Sequence, residues 1–182
     1  MLHPYEERQQ LETRLREVVA GDGIQVWFQP IIDLATGRVH ALEALARWQD
    51  EDDCFVSPEI FIEIAECCGL IEELSQQILR KALLSAKPWI ESELVQCITF
   101  NVSPLDLLSA GFVSRVISAL REAGYPADRL TLEITEGVVL QDIAAAEAVM
   151  HRLRGAGVRF ALDDLAAAFR TSLTYTGCRF RS

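Results

Sequence analysis

Strand-like and helix-like segments alternate regularly along the second half of the chain, and this alternation restricts the fold more than any other feature. Short apolar runs predict the strands, and apolar residues at helical spacing predict the helices between them. The predicted order is strand Cys97–Val102, helix Gly111–Ala123, strand Leu130–Thr135, helix Asp142–Arg154 and strand Val158–Asp163. Strands joined by helical crossovers run parallel, so this half predicts an α/β fold with helices packed on a parallel sheet.

The first half predicts a different connection. A helix is expected over Tyr5–Ala20, strands over Gln25–Ile32 and Arg38–Trp48, and helices from Ser57 to Gly69 and from about Glu72 to Lys87. The segment Asp33–Gly37 between the two strands is too short for a crossover helix. The first strand pair is therefore predicted to be an antiparallel hairpin.

The second predicted strand carries two different faces. Glu43, Leu45 and Arg47 alternate along it and point to one side, while Leu42, Ala44, Ala46 and Trp48 make the other side apolar. The apolar side is typical of a strand packed beneath helices. The charged side fits either the lining of a functional site or an exposed polar edge, and alternation alone leaves both open.

Polar residues also occur where other predicted strands end. They are Gln29 on the first strand, Asn101 on the third, Glu133 on the fourth and Asp163-Asp164 on the fifth. In a β/α barrel the carboxyl ends of the strands and the loops that follow build the active site, so these side chains are expected to meet at one rim.

The chemistry of this set is uniform. Glu43, Asn101, Glu133, Asp163 and Asp164 all supply oxygen ligands, which select Mg²⁺ or Mn²⁺ rather than zinc. Four crowded acids repel one another unless divalent cations neutralise them, and two such cations are the usual apparatus of phosphodiester cleavage. Arg47 is then expected to hold a phosphate oxygen.

Composition restricts the partners. The 182 residues are half hydrophobic, enough for one domain with a sizeable core, and the formal net charge of −10 argues against DNA or RNA polymers and anionic membranes. The five cysteines lack the C-x-x-C spacing of zinc or redox sites, which favours reduced thiols. No apolar run has membrane-spanning length and no signal sequence is evident, so we expect no membrane insertion and a cytoplasmic location.

Five motifs in order carry a family resemblance. The segments Phe28-Gln-Pro-Ile31, Glu43-Ala-Leu45 with Arg47-Trp48, Phe100-Asn-Val-Ser103, Leu132-Glu-Ile-Thr-Glu136 and Ala161-Leu-Asp-Asp164 resemble those of the EAL-domain family. The resemblance implies a modified (β/α)₈ barrel of the TIM type whose first strand is antiparallel. It also implies hydrolysis of the bacterial second messenger cyclic di-GMP to pGpG with two Mg²⁺ or Mn²⁺ ions.

The resemblance further implies roles for single residues. Glu43, Asn101, Glu133, Asp163 and Asp164 match metal ligands, and among them Glu43, Asp163 and Asp164 are the catalytic candidates. Gln29, Leu45 and Arg47 match substrate contacts. Glu136 matches the residue that anchors a mobile loop at the active site.

Two departures from the family pattern concern activity. After Asp164 the family usually has Phe-Gly-Thr-Gly-Tyr, whereas this chain has Leu165-Ala-Ala-Ala-Phe169, which favours a stiffer loop. Only 18 residues follow Asp164, too few for three more strands and their helices, and they contain no lysine or glutamate to replace the family's catalytic ones. We therefore expect residues 1–164 to be the N-terminal part of an EAL domain with about five strands, and 165–182 a divergent tail.

These departures lead to three hypotheses for this chain. It is a catalytically inactive EAL protein unless completed by another polypeptide, a non-catalytic module that binds cyclic di-GMP or a protein, or a nonfunctional truncated remnant. The incomplete barrel also leaves strand edges and interior surface uncovered, so self-association through the open edges is expected.

Overall fold

The computed structural model describes residues 4–49, 54–135 and 142–163, excluding the side chains of residues 4–7, 135 and 163. The helices are α1 Pro4–Ala20, α2 Pro58–Cys68, α3 Ile71–Glu91, α4 Pro104–Leu107, α5 Phe112–Ala123 and α6 Ile143–Gly155, with a 3₁₀ turn at Ala127–Arg129. The strands are β1 Gln25–Ile32, β2 Val39–Gln49, β3 Phe55–Val56, β4 Cys97–Val102, β5 Leu130–Thr135 and β6 Arg159–Asp163. The predicted alternation of strand and helix is confirmed.

The sheet has the strand order β1-β2-β4-β5-β6, and the two-residue strand β3 pairs separately with β2. β1 is antiparallel to β2, whereas the pairs β2–β4, β4–β5 and β5–β6 are parallel. The prediction of about five strands with an antiparallel first strand is therefore confirmed. This arrangement is part of a TIM-type barrel.

The tight connection between β1 and β2 explains the antiparallel pair. The side chain of Asp33 accepts hydrogen bonds from the backbone nitrogens of Ala35 at 2.8 Å and Thr36 at 3.1 Å. Gly37 takes a positive φ of 66°, a conformation that costs glycine little. Asp33 and Gly37 thus reverse the chain within a few residues and leave no room for a crossover helix.

One face of the sheet forms the protein core with the helices. On β2, Ala44 and Trp48 are buried, and the Trp48 ring packs edge-on against Phe61 of α2 with ring centroids 6.0 Å apart. β4 and β5 contribute the buried residues Ile98, Phe100, Val102, Leu130, Leu132 and Ile134. The apolar side predicted for β2 therefore faces the helices.

Helix α3 extends further than the sequence predicts. The sequence predicts an end at about Lys87, whereas the helix continues to Glu91 with Pro88 inside. Proline removes one helical hydrogen bond, and the burial of Ala86 and Ile90 in the core helps to hold the last turn despite that loss. The short elements β3 and α4 were not predicted, because two to four residues are too few to show a hydrophobic period.

Two further features of the described part are the state of its cysteines and the polarity of its helices. Its four cysteines, Cys54, Cys67, Cys68 and Cys97, form no disulfide with one another. None of the helices within the three described ranges is long and apolar enough to cross a membrane.

A buried ion pair links α3, α4 and α5. Arg115 donates hydrogen bonds to Asp106 Oδ1 at 2.5 Å, to Ser109 Oγ at 2.6 Å and to Glu72 Oε2 at 2.5 Å. Asp106 is only 2% exposed. Burial raises the pKa of the Asp106 carboxyl, while hydrogen bonds from Ser75 and Arg115 oppose that rise. The charge of Asp106 is thus tolerated in the core because Arg115 lies against it.

We expect Arg115→Met to lower the free energy of unfolding by about 3 kcal/mol at neutral pH, because it leaves the Asp106 carboxylate buried and unpaired. The folded-state pKa of Asp106 then lies further above its unfolded value. The deficit should therefore be smallest below about pH 3, where the carboxyl is protonated in both states, and should grow as pH rises from the unfolded-state pKa through the folded-state pKa.

Urea unfolding at several pH values measures this deficit. Arg8→Met is the matched control, because Arg8 pairs with Glu63 on the exposed surface and its loss should change stability little at any pH. An Arg115→Met deficit that does not depend on pH would contradict the role assigned to the Asp106 charge.

Candidate functional site

The sheet face opposite the core carries the predicted polar residues of β1 and β2. The antiparallel register pairs Gln29 with Glu43, Trp27 with Leu45 and Gln25 with Arg47. Paired residues of neighbouring strands point to the same side of a sheet. Glu43, Leu45 and Arg47 therefore share one face with Gln29, and all three are half-buried.

Asn101 of β4 joins this face through a direct contact. Its amide nitrogen donates a hydrogen bond to Glu43 Oε1 at 2.9 Å. Asn101 is also the register partner of Glu133 on β5, so Glu133 extends the polar set to a fourth strand. The sheet thus places Gln29, Glu43, Asn101 and Glu133 on one face of β1, β2, β4 and β5, with Asn101 two residues beyond Thr99, the register partner of Glu43. We call these four residues the polar row.

Gln29 lies in the polar row for a different structural reason from the one expected. It was expected at the rim formed by the strand ends, although the strand itself was predicted to run to Ile32. β1 does run from Gln25 to Ile32, and because it is antiparallel its first residues, not its last, lie beside the end of β2. Gln29 is in the middle of the strand and meets Glu43 through cross-strand pairing.

The remaining predicted residues are only partly described. Asp163 ends β6 as the register partner of Thr135, but its side chain lies outside the described part. Asp164, Glu136 and the loop Leu165–Phe169 also lie outside the described residues. The assignments of these residues stay predictions.

The side chains of the polar row suit a hard cation by their chemistry. Glu43 and Glu133 offer carboxylate oxygens and Asn101 an amide oxygen, the ligand types that Mg²⁺ and Mn²⁺ take. Within the three described ranges no group of three or more histidine, cysteine, aspartate or glutamate side chains is placed to hold a metal. The assignment of Glu43, Asn101, Glu133, Asp163 and Asp164 as metal ligands therefore stays a prediction.

A buried hydroxyl lies beside Glu43 on this face. Thr99 is the register partner of Glu43 on β4 and is buried. Its Oγ1 atom has no hydrogen-bond partner among the described residues. A buried hydroxyl without a partner costs free energy, so Thr99 makes this part of the sheet locally less stable.

Arg47 lies at the end of this face with a partly fixed guanidinium. One of its nitrogens donates to the backbone oxygen of Ala46 at 2.8 Å, and its central carbon lies 5.7 Å from the centroid of the Trp27 ring. Trp27 was not among the predicted site residues. Trp27 stands two residues before Gln29 and so occupies the same strand face, but its exposure is visible only in the fold.

A crevice elsewhere in the molecule is a poor candidate for the site. It lies on the helix side of the sheet, and its lining includes Ser75, Phe100, Asp106, Arg115 and Leu132. Its charged members are the pair Asp106–Arg115, which already satisfy each other. This crevice is a packing feature of the core.

Comparison with known proteins identifies relatives that are similar to this chain in sequence. The cyclic di-GMP phosphodiesterase NbdA of Pseudomonas aeruginosa is 34% identical over 168 residues, which cover 91% of this chain and 21% of NbdA. An uncharacterised protein of Synechocystis is 33% identical over 172 residues, covering 93% of this chain and 24% of that protein. The chain thus spans about a quarter of the length of such relatives.

Solved structures share the fold. The MucR phosphodiesterase in complex with c-di-GMP superposes with a TM-score of 0.81 at 28% identity, covering 87% of this chain and 64% of that one. The EAL enzyme Bd1971 superposes with a TM-score of 0.80 at 20% identity, covering 92% of this chain and 46% of that one, and so supports the fold alone. The EAL domain family model matches residues 12–175. This chain therefore belongs to the EAL domain family.

Proposed function

We propose that this chain carries the N-terminal part of a cyclic di-GMP phosphodiesterase site, and that these 182 residues bind the nucleotide without hydrolysing it. The observation that carries the proposal is the contact of Asn101 with Glu43, which joins β2 and β4 in the polar row. The named phosphodiesterase relatives and the c-di-GMP complex of MucR support the choice of nucleotide.

Glu43, Asn101 and Glu133 would hold Mg²⁺ or Mn²⁺ together with Asp163 and Asp164. When bound, two such ions polarise phosphate oxygens and activate water. The chain's own part is to fix these ligands on adjacent strands of a sheet, which places them more rigidly than a loop would. The hydrogen bond from Asn101 also orients the Glu43 carboxylate.

Gln29, Leu45 and Arg47 would contact cyclic di-GMP. Arg47 supplies a permanent positive charge at the end of the row, and its partly anchored guanidinium suits a phosphate oxygen. The net charge of −10 makes this cation important, because an anionic dinucleotide is otherwise repelled by the protein. A cytoplasmic location is part of the proposal, since the nucleotide is an intracellular messenger.

Lack of turnover is proposed from the openness of the site. Phosphodiester cleavage depends on charged groups placed on several sides of the reacting phosphate, yet Trp27 and Ile31 on the face of the polar row are substantially exposed. Residues 165–182 supply no lysine or glutamate to serve as a further catalytic group. We take residues 1–164 as the EAL part and 165–182 as the divergent tail.

Loop control is the second ground for lack of turnover. Glu136 is proposed to anchor a loop near the site, and Leu165–Phe169 to alter the loop after the aspartates.

A remnant without any nucleotide affinity is the competing hypothesis for the whole chain. The calorimetric binding experiment below separates a binding module from such a remnant.

We expect purified chain incubated with cyclic di-GMP and Mg²⁺ or Mn²⁺ to form no pGpG, as followed by chromatography. Turnover that Glu43→Ala abolishes would overturn the proposed inactivity.

Calorimetry with Ca²⁺, which also takes oxygen ligands, should show that the same protein binds cyclic di-GMP. Arg47→Ala should weaken binding at least tenfold, because a hydrogen bond to a charged group contributes roughly 1.5–3 kcal/mol. Arg121→Ala on the exposed end of α5 is the matched control and should bind like wild type. No binding by wild type would favour the remnant.

Mn²⁺ alone should raise the melting temperature of the chain by at least about 3 °C at saturation, since a ligand that binds only the folded state stabilises it. Glu43→Gln removes a carboxylate charge while keeping an oxygen that accepts from Asn101, and should lose most of this shift. Glu73→Gln, at an exposed position on α3, should keep it. Equal shifts in the two variants would count against a metal at the polar row.

We also propose that the chain self-associates through its open strand edges. β1 and β6 are the end strands of the sheet in the described part, and their outer backbone groups offer templates for pairing. Sedimentation velocity should show a dimer or larger species at micromolar concentration. A well-folded monomer across that range would contradict this expectation.

A further inference from the structure

Two large aromatic side chains lie half-exposed near Arg47, on the same side of the sheet as the polar row. Trp27 is 48% exposed and Phe55 is 52% exposed. Their rings meet edge to face, with centroids 5.3 Å apart and an interplanar angle of 76°. We call this pair the aromatic platform.

Strand pairing places the platform beside the site. Trp27 stands opposite Leu45 in the β1–β2 register, and Phe55 of β3 stands opposite Gln49 near the end of β2. The Trp27 ring is held from two sides, because its Nε1 donates to Gln25 Oε1 at 3.3 Å and the Arg47 guanidinium lies 5.7 Å from its centroid. The ring is therefore oriented before any ligand arrives.

The other two tryptophans show that this exposure is specific to Trp27. Trp48 is buried on the core face. Trp89 is also partly exposed, but it packs edge-on against Phe28 with centroids 5.3 Å apart, on the helix side of the sheet. Only Trp27 among the three combines partial exposure with a place on the face of the polar row.

The chemistry of the pair identifies a class of ligand. An arginine beside an exposed indole offers a cation for a phosphate and a flat π surface for a base, and these are the two parts of a nucleotide. An apolar peptide would use the rings but not the charge. A free phosphate would use the charge but not the rings.

We propose that Trp27, supported edge-on by Phe55, stacks a purine base of the nucleotide whose phosphate Arg47 binds. The inference rests on the proposed function and deepens it, because it names the protein surface that recognises the base. Trp27 is assigned here as a substrate-binding residue in addition to Gln29, Leu45 and Arg47.

Calorimetry with cyclic di-GMP in Ca²⁺ tests the platform through three variants. Trp27→Leu removes the π surface and should weaken binding by about tenfold, whereas Trp27→Phe should retain most of the affinity. Trp89→Phe is the matched control and should bind like wild type. Circular dichroism of each variant reports whether it folds.

Fluorescence tests stacking in a protein that keeps Trp27. Its result therefore holds even if the Trp27 variants do not fold. In the Trp89→Phe protein the only tryptophans are Trp27 and the buried Trp48. Stacking predicts that GMP quenches the emission of this protein and that ribose 5-phosphate, which has the phosphate but no base, does not.

The outcomes separate the two proposals. Absence of cyclic di-GMP binding to wild type overturns both. Wild-type binding that Trp27→Leu leaves unchanged, or equal responses to GMP and ribose 5-phosphate, overturns the platform alone. Selective quenching by GMP together with weaker binding of Trp27→Leu supports it.

Discussion

The antiparallel register of β1 and β2 is the constraint on which the candidate site depends. β2 has an apolar side that ends in the buried Trp48, and burial of that side against α2 fixes which way every other residue of the strand points. A slip of one residue would turn Glu43 and Arg47 into the core and Trp48 outward. The free energy of burying an indole therefore also orients the charged side chains.

The buried Asp106–Arg115 pair and the polar row are two differently organised sets of polar side chains. Asp106 is buried but surrounded by Arg115 and Ser75, so its charge is compensated within the fold. The polar row places Glu43, Asn101 and Glu133 on the opposite sheet face, where Asn101 donates to Glu43 and both of these side chains are at least partly accessible. A buried pair satisfied within the fold serves stability, whereas acidic and amide side chains gathered on an accessible sheet face are typical of binding sites.

Much of the fold was predictable because long periodic segments and a short hairpin leave few alternatives. The period of two in β2 predicted its faces, and the ordered motifs predicted the EAL family and its antiparallel first strand. Local signals failed where tertiary packing decides: Pro88 does not end α3, and Gln29 owes its place to strand pairing rather than to a strand end. Trp27 was missed because an aromatic residue in a strand is more often core than ligand contact, and only its exposure separates the two.

Binding and turnover place different demands on a barrel of this kind. Binding needs contact residues fixed relative to one another, and the adjacent strands β2, β4 and β5 fix Glu43, Asn101 and Glu133 on one sheet face. Turnover also needs an activated water and charged groups around the reacting phosphate. In a protein with net charge −10, one arginine balances only one of the two negative charges of cyclic di-GMP, so we expect bound divalent cations to raise nucleotide affinity and the nucleotide to raise theirs by the same factor. Such coupling requires only that both ligands meet at the polar row, and it makes metal availability a control on nucleotide binding even where no bond is cleaved.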